Sequence, residues 1–145
     1  MPDQETLERV QKDKEEGKSP STQAGEFVRE EIHHVREGKH GASSPKQAIA
    51  IGLSKARRAG VKLPAPKGSA SVRKKAEQDN AASREKGHKP SKKRSRAVSK
   101  ALKREPKKTA SHRAMSKQAT TAAKKRGKAA RSASARRAAR TRKAA

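Results

Sequence analysis

Lysine and arginine are the side chains with chemistry to offer in this chain. Lys and Arg number 40 against 14 Asp and Glu, for a formal net charge of +26 over 145 residues. Each ammonium or guanidinium can replace a counterion condensed on a polyphosphate, and the released counterions drive binding. The candidate contacts begin at Lys55, Arg57, Arg58 and Lys62 and continue through Arg73, Lys74 and Lys75. A denser series follows: Lys92, Lys93, Arg94, Arg96, Lys100, Lys103, Arg104, Lys107 and Lys108. The last is Lys124, Lys125, Arg126, Lys128, Arg131, Arg136, Arg137, Arg140, Arg142 and Lys143. With roughly 8–15 phosphates engaged, log affinity falls with log salt at a slope of roughly −7 to −13. One Phe and no Trp or Tyr leave no platforms on which unpaired bases could stack. The expected binding therefore depends on phosphate and little on sequence. Residues 89–96, KPSKKRSR, match a nuclear-import peptide only as any Lys/Arg-rich run does. Residues 125–128, KRGK, have the core of an AT-hook but lack the proline that stiffens it.

Other chemistries find no footing. Cysteine is absent, which excludes disulfides, thiolate metal sites and thiol nucleophiles. His33 and Glu37 stand four apart, a spacing that can pair two metal ligands, but no second pair follows and no metal site is expected. No nucleophile elbow, P-loop or dinucleotide fingerprint occurs, so neither enzymatic activity nor a cofactor is expected. No apolar run approaches the roughly 18 residues of a membrane span. The acidic, polar N-terminus argues against a secretory or mitochondrial leader. A cytoplasmic, nucleoid-associated protein is expected, or a nuclear one if the source is eukaryotic.

The elements that must position these cations are unevenly specified. Residues 1–64 carry 12 Lys and Arg and 10 Asp and Glu, whereas residues 65–145 carry 28 and 4. Large apolar residues concentrate before Pro64. The clearest element is the stretch from Ser44 to Pro64, which reads as one helix. Ser44 is its N-cap, Pro45 its first residue, and Gln47 completes a capping box. Lys55, Arg57 and Arg58 suit the negative end of the dipole, and Gly60 closes the helix. A helix capped by Ser21 or Thr22 and closed by Gly38 precedes it, with a stripe of Phe27, Val28, Ile32 and Val35. The short turn at 38–44 makes the two an antiparallel hairpin, with Phe27, Ile32 and Val35 on Ile49, Leu53 and Ala56. Val61 and Leu63 fold back over the open end. Residues 3–16 form a marginal polar helix with Asp3 as N-cap and Leu7 and Val10 as its apolar pair. Two helices bury little, so the hairpin is expected to gain from helix one, from self-association or from a ligand.

After Ala65 the apolar stripe is lost, Pro90 and Pro106 interrupt the chain, and like charges oppose helix formation. Residues 65–145 are accordingly expected to be a disordered basic tail that turns partly helical when bound. The expected fold class is mostly α with extensive disorder: an acidic segment at 1–21, a helical hairpin at 22–64, and the tail at 65–145.

Lys46, Gln47, Ala48, Ile49, Ala50, Ile51, Gly52, Leu53 and Ser54 resemble the Lys/Arg-Gln-Ala-Ile-Ala-Ile-x-Leu-Ser core of a family of small uncharacterised bacterial proteins. The segment Phe27 to Gly41 is similar to that family's preceding helix, and the likeness covers roughly residues 22–64. It implies a bacterial source and transfers no catalytic residue. Residues 65–145 resemble, in composition, the DNA-condensing tails of linker histones and bacterial histone-like proteins, and also the tails of some ribosomal proteins. Together these features predict a non-enzymatic protein that binds and compacts DNA without sequence preference. The alternatives are an RNA- or ribosome-associated basic protein, and a protein-interaction adaptor whose tail merely tethers it.

Overall fold

A computed structural model of the protein describes residues 1–85 and 91–144. Six helices follow in order: α1 Gln4–Glu15, α2 Pro20–Arg36, α3 Pro45–Arg58, α4 Ala70–Ala82, α5 Lys92–Arg104 and α6 His112–Ala144. A short 3-10 turn, Lys108–Ala110, lies between the last two. Residues from Met1 to Ala110 form one compact unit, and a second begins at Ser111.

The α3 helix is written into its ends. Ser44 Oγ accepts from Gln47 N at 3.2 Å, and Pro45 takes the first helical position. The Gln47 side chain reaches back one residue further than a capping box requires, accepting from the backbone and hydroxyl of Ser43. At the other end Val61 N donates to Ala56 O and Gly60 N to Arg57 O, a Schellman closure. Helix α2 uses the same start. Its N-cap is Ser19, two residues ahead of the earliest cap expected, because Pro20 fits the first helical position and Ser19 Oγ accepts from Thr22 N.

Helices α2 and α3 pack as the expected antiparallel pair, and the core divides into two clusters along them. One joins Ala24, Phe27, Ala56 and Val61, with Val10, Leu53 and Leu63 against it. The other joins Val35, Ala42, Ala48 and Ala110, with Ile32 against it. Helix α1 closes on α2 through Val10 and through Arg9, whose Nε donates to Glu26 at 2.6 Å. Helix α4 closes on α3 through the buried Asp79, which accepts from Ser54 Oγ at 2.5 Å and from Lys75 Nζ at 2.9 Å.

Between the pair the backbones nearly touch at Gly52. A Cβ added there would lie 2.6 Å from Val28 Cα and 2.9 Å from Val28 N. Gly25, on α2, has nothing within 4 Å of such an atom. Relief of glycine's entropy favours alanine in a helix by about 1 kcal/mol, so Gly25→Ala should raise stability. Gly52→Ala should lower it, because forcing helix backbones apart costs about 1–3 kcal/mol and exceeds that gain. Thermal unfolding followed by circular dichroism of the two variants would display the opposite signs.

The expectation of extensive disorder is overturned. The described residues after Ala65 carry three helices, and their middle is sewn into the first unit. Gly41 N donates to Leu102 O at 2.8 Å and Ala42 N to Pro106 O at 3.1 Å. Thr109 Oγ1 donates to Ala42 O at 2.9 Å, and Arg36 Nε to Ala110 O at 2.7 Å. Ala110 itself is fully buried against Val35, Ala42 and Ala48. The physical reason is twofold. Ala, Lys and Arg carry high helix propensity, and the residues after Glu105 supply the polar turn at 38–42 with backbone partners it would otherwise lack. The expected break at Pro90 falls outside the described residues. Pro106 does end a helix, lying two residues past Arg104.

Candidate nucleic-acid interface

Glu105 is the last acidic residue of the chain, and none occurs between Ser91 and Arg104. Helix α5 is therefore purely cationic. At 100° per residue Lys92, Lys93, Arg96, Lys100, Lys103 and Arg104 fall on one face, while Ala97, Val98, Ala101 and Leu102 lie on the other side. Arg94 falls within that side, between Ala101 and Val98. Every residue from Lys92 to Ala101 is exposed. Val98 is 52% exposed, so only the C-terminal end of α5, through the Leu102 carbonyl, is tied to the turn. Lys107 and Lys108 continue the exposed cations.

The second unit is built of α6, broken at Gly127, whose φ of 77° and ψ of 165° lie outside the helical region. Two bonds bridge the break. Arg126 Nη2 donates to Ser134 Oγ at 2.7 Å, and Arg131 Nη1 to Ala123 O at 3.3 Å. Lys124, Lys125, Lys128, Arg136, Arg137, Arg140, Arg142 and Lys143 are exposed. Arg113 and Lys117, outside the candidate series above, are exposed on the same helix. Among the described residues, no cation from Lys92 onward forms an ion pair with a carboxylate.

The candidates before Pro90 divide. Arg58, Lys62, Arg73 and Lys74 are exposed. Lys75 is exposed but held on Asp79 at 2.9 Å. Arg57 is buried, with Nε lacking a hydrogen-bond partner. Lys55 points inward, its Nζ 2.8 Å from Glu30 Oε1 and 2.8 Å from Glu31 Oε2. Both of those carboxylates are buried almost completely.

This inward cluster has strong electrostatics. Burial pulls the Lys55 ammonium down, but the Glu30 and Glu31 carboxylates outweigh it and hold the group above its ordinary value. Burial likewise pushes the Glu30 carboxyl up, and the bonds from Lys55 Nζ and Asp3 N, with the charge of Lys55, hold it below the usual carboxylate range. The hydrogen bond from His34 holds the Asp3 carboxyl down against a smaller effect of burial. None of this was visible in the sequence, which offers Lys55 and Arg58 as equivalent cations on one helix. Asp79 carried a usable signal: it stands four residues after Lys75, the spacing of a helical ion pair.

A protein-family model described as a family of unknown function (DUF6496) matches residues 14–67. The match begins inside α1 and ends beyond α3, so the likeness to an uncharacterised family holds over the hairpin, whereas α5 and α6 lie outside it. No curated protein and no solved structure matches the chain. Among the described residues, no helix is long and apolar enough to cross a membrane.

Proposed function

We propose that the protein binds duplex DNA through preformed cationic helices, without sequence preference and without catalysis, and compacts it as a nucleoid-associated protein. The observation that carries this reading is the charge of α5: six Lys and Arg on one exposed face, none of them in an ion pair with a carboxylate among the described residues. The helix has no Asn or Gln to pair with adenine. Its contacts are with phosphate, which position a protein without reading sequence. B-form DNA admits a helix in its major groove, whereas the deep, narrow major groove of A-form RNA excludes side chains. That difference favours DNA over the RNA reading.

The test is a salt series of equilibrium binding to two unrelated duplexes, with a structured RNA as competitor. Equal affinities for the two duplexes are expected, with log affinity against log salt falling at a slope of roughly −7 or steeper. A slope near zero would remove phosphate from the account, and preferential displacement by RNA would move the function to the RNA reading.

A further inference from the structure

The acidic half of the first unit contains a second constellation, independent of the cationic helices. Glu31 and His34 stand three residues apart on α2, and the turn after Arg36 brings His40 back onto them. One ligand-type atom from each of the three lies within 4.8 Å of the others. Glu31 is 1% exposed, and both its carboxylate oxygens are buried with no aligned hydrogen bond. Its Oε2 lies 2.8 Å from Lys55 Nζ, and its Oε1 lies 3.0 Å from His40 Nε2.

The proton inventory around the histidines is the informative part. His40 Nδ1 lies 3.0 Å from Gly41 O, and a carbonyl only accepts, so Nδ1 is the nitrogen that carries hydrogen. In the neutral ring the lone pair then sits on Nε2, facing Glu31 Oε1. Two acceptors 3.0 Å apart in a buried place repel unless a positive centre lies between them or the imidazole is protonated. His34 is held in the same way: its Nε2 lies 2.9 Å from Asp3 Oδ2, and a carboxylate also only accepts. Each imidazole thus has one N–H anchored on an oxygen, the arrangement that orients metal-binding histidines. A carboxylate and a histidine at i and i+3 on a helix, here Glu31 and His34, is a pairing that metal-binding helical bundles use.

We propose that Glu31, His34 and His40 form a three-ligand site for a divalent transition ion of zinc type. Glu31 binds through Oε1 alone, because Lys55 occupies Oε2. Imidazole and carboxylate donors suit Zn²⁺ or Co²⁺, and three protein ligands leave the fourth tetrahedral position to water. Bond lengths of about 2.0–2.2 Å place tetrahedral ligand atoms about 3.4 Å apart, so the 3.0 Å between Oε1 and Nε2 needs to open by only a few tenths of an ångström. The site would staple α2 to the turn that carries Gly41 and Ala42, and through Asp3 to the start of α1. His33, the histidine whose spacing to Glu37 suggested a ligand pair, is exposed and takes no part.

The experiment is Zn²⁺ titration by calorimetry, with the visible spectrum of the Co²⁺ form, on the full chain after exhaustive chelation. Saturable binding of one ion per chain is expected, with the intense d–d bands of a four-coordinate Co²⁺ site. Loss of an outer partner costs 10–100-fold in affinity at such sites. Loss of a ligand in His40→Ala or His34→Ala should therefore weaken Zn²⁺ binding by at least about 100-fold, and His33→Ala should leave it unchanged. Glu31→Gln tests the third ligand, and far-ultraviolet circular dichroism of each variant separates loss of a ligand from loss of the fold. Absence of saturable binding, or equal weakening by His33→Ala, would overturn the site and leave Glu31 and His40 as a plain ion pair.

Discussion

Lys55→Met should destabilise the first unit by about 3–5 kcal/mol, the loss expected when one partner of a buried ion pair is removed and the other is left uncompensated. Here two carboxylates would lose their ammonium, leaving Glu30 the bond from Asp3 N and Glu31 the contact with His40. Glu30 and Glu31 retain 2% and 1% of their side-chain exposure, and Lys55 Nζ stands 2.8 Å from each. Without that ammonium the carboxylates, adjacent on α2, would repel in a medium that screens them poorly. The triple variant Lys55→Met, Glu30→Gln, Glu31→Gln should recover a large part of the loss, since neutral groups of similar shape replace the charges. Chemical denaturation of the single and triple variants measures both quantities. The same experiment separates two roles for Lys55. A phosphate contact would leave stability unchanged and lower DNA affinity, whereas an internal counter-ion lowers stability and leaves affinity per folded molecule unchanged.

The contrast between Lys55 and Arg58 shows how much of the molecule is legible in its sequence. Local grammar is readable: Ser44, Pro45 and Gly60 mark α3, and Phe27, Leu53, Ala56, Val61 and Leu63 meet as their periodicity requires. Helix phase relative to a partner is not, because one apolar stripe leaves the flanking polar positions ambiguous by a turn. Lys55 and Ser54 fall at the edge of the buried face and find Glu30, Glu31 and Asp79 there. The sewing of residues 102–110 onto the 38–42 turn was illegible for a different reason. It is made by backbone groups and by Ala110, one alanine in a chain rich in them, and backbone hydrogen bonds leave no signature in residue type. Gly41 was the only hint. A Cβ on it would overlap Glu105 O, so only glycine lets that segment of chain approach. The histidines illustrate the ambiguity again: spacing alone pairs His33 with Glu37, whereas packing gathers His34 into two groups, one with Glu31 and His40 and the other with Asp3 and Glu30.

Replacing Lys92, Lys93, Arg96, Lys100, Lys103 and Arg104 by Gln together should weaken duplex binding by about 10³–10⁴-fold near 0.1 M salt and reduce the salt slope by about 3. The magnitude follows from geometry. Helix α5 has 13 residues, a length of about 20 Å at 1.5 Å per residue. A duplex carries one phosphate per roughly 1.7 Å of axis, so about 11 pass alongside on its two strands. Six side chains on one face, splayed over about 120°, reach three or four of these across the groove walls. Each contact releases about 0.9 counterion, and near 0.1 M salt each is worth about a factor of ten in affinity. Stability should be unchanged, because these side chains are exposed and touch no carboxylate. Val98→Ala, on the other side, should leave affinity alone and serves as the matched control. Removal of Ser111 onward, which leaves the first compact unit, completes the comparison. If that truncation abolishes binding while the six-fold Gln variant binds like the parent, the phosphate contacts belong to α6. If the Gln variant loses both affinity and slope in the presence of an intact α6, the exposed face of α5 carries the interaction.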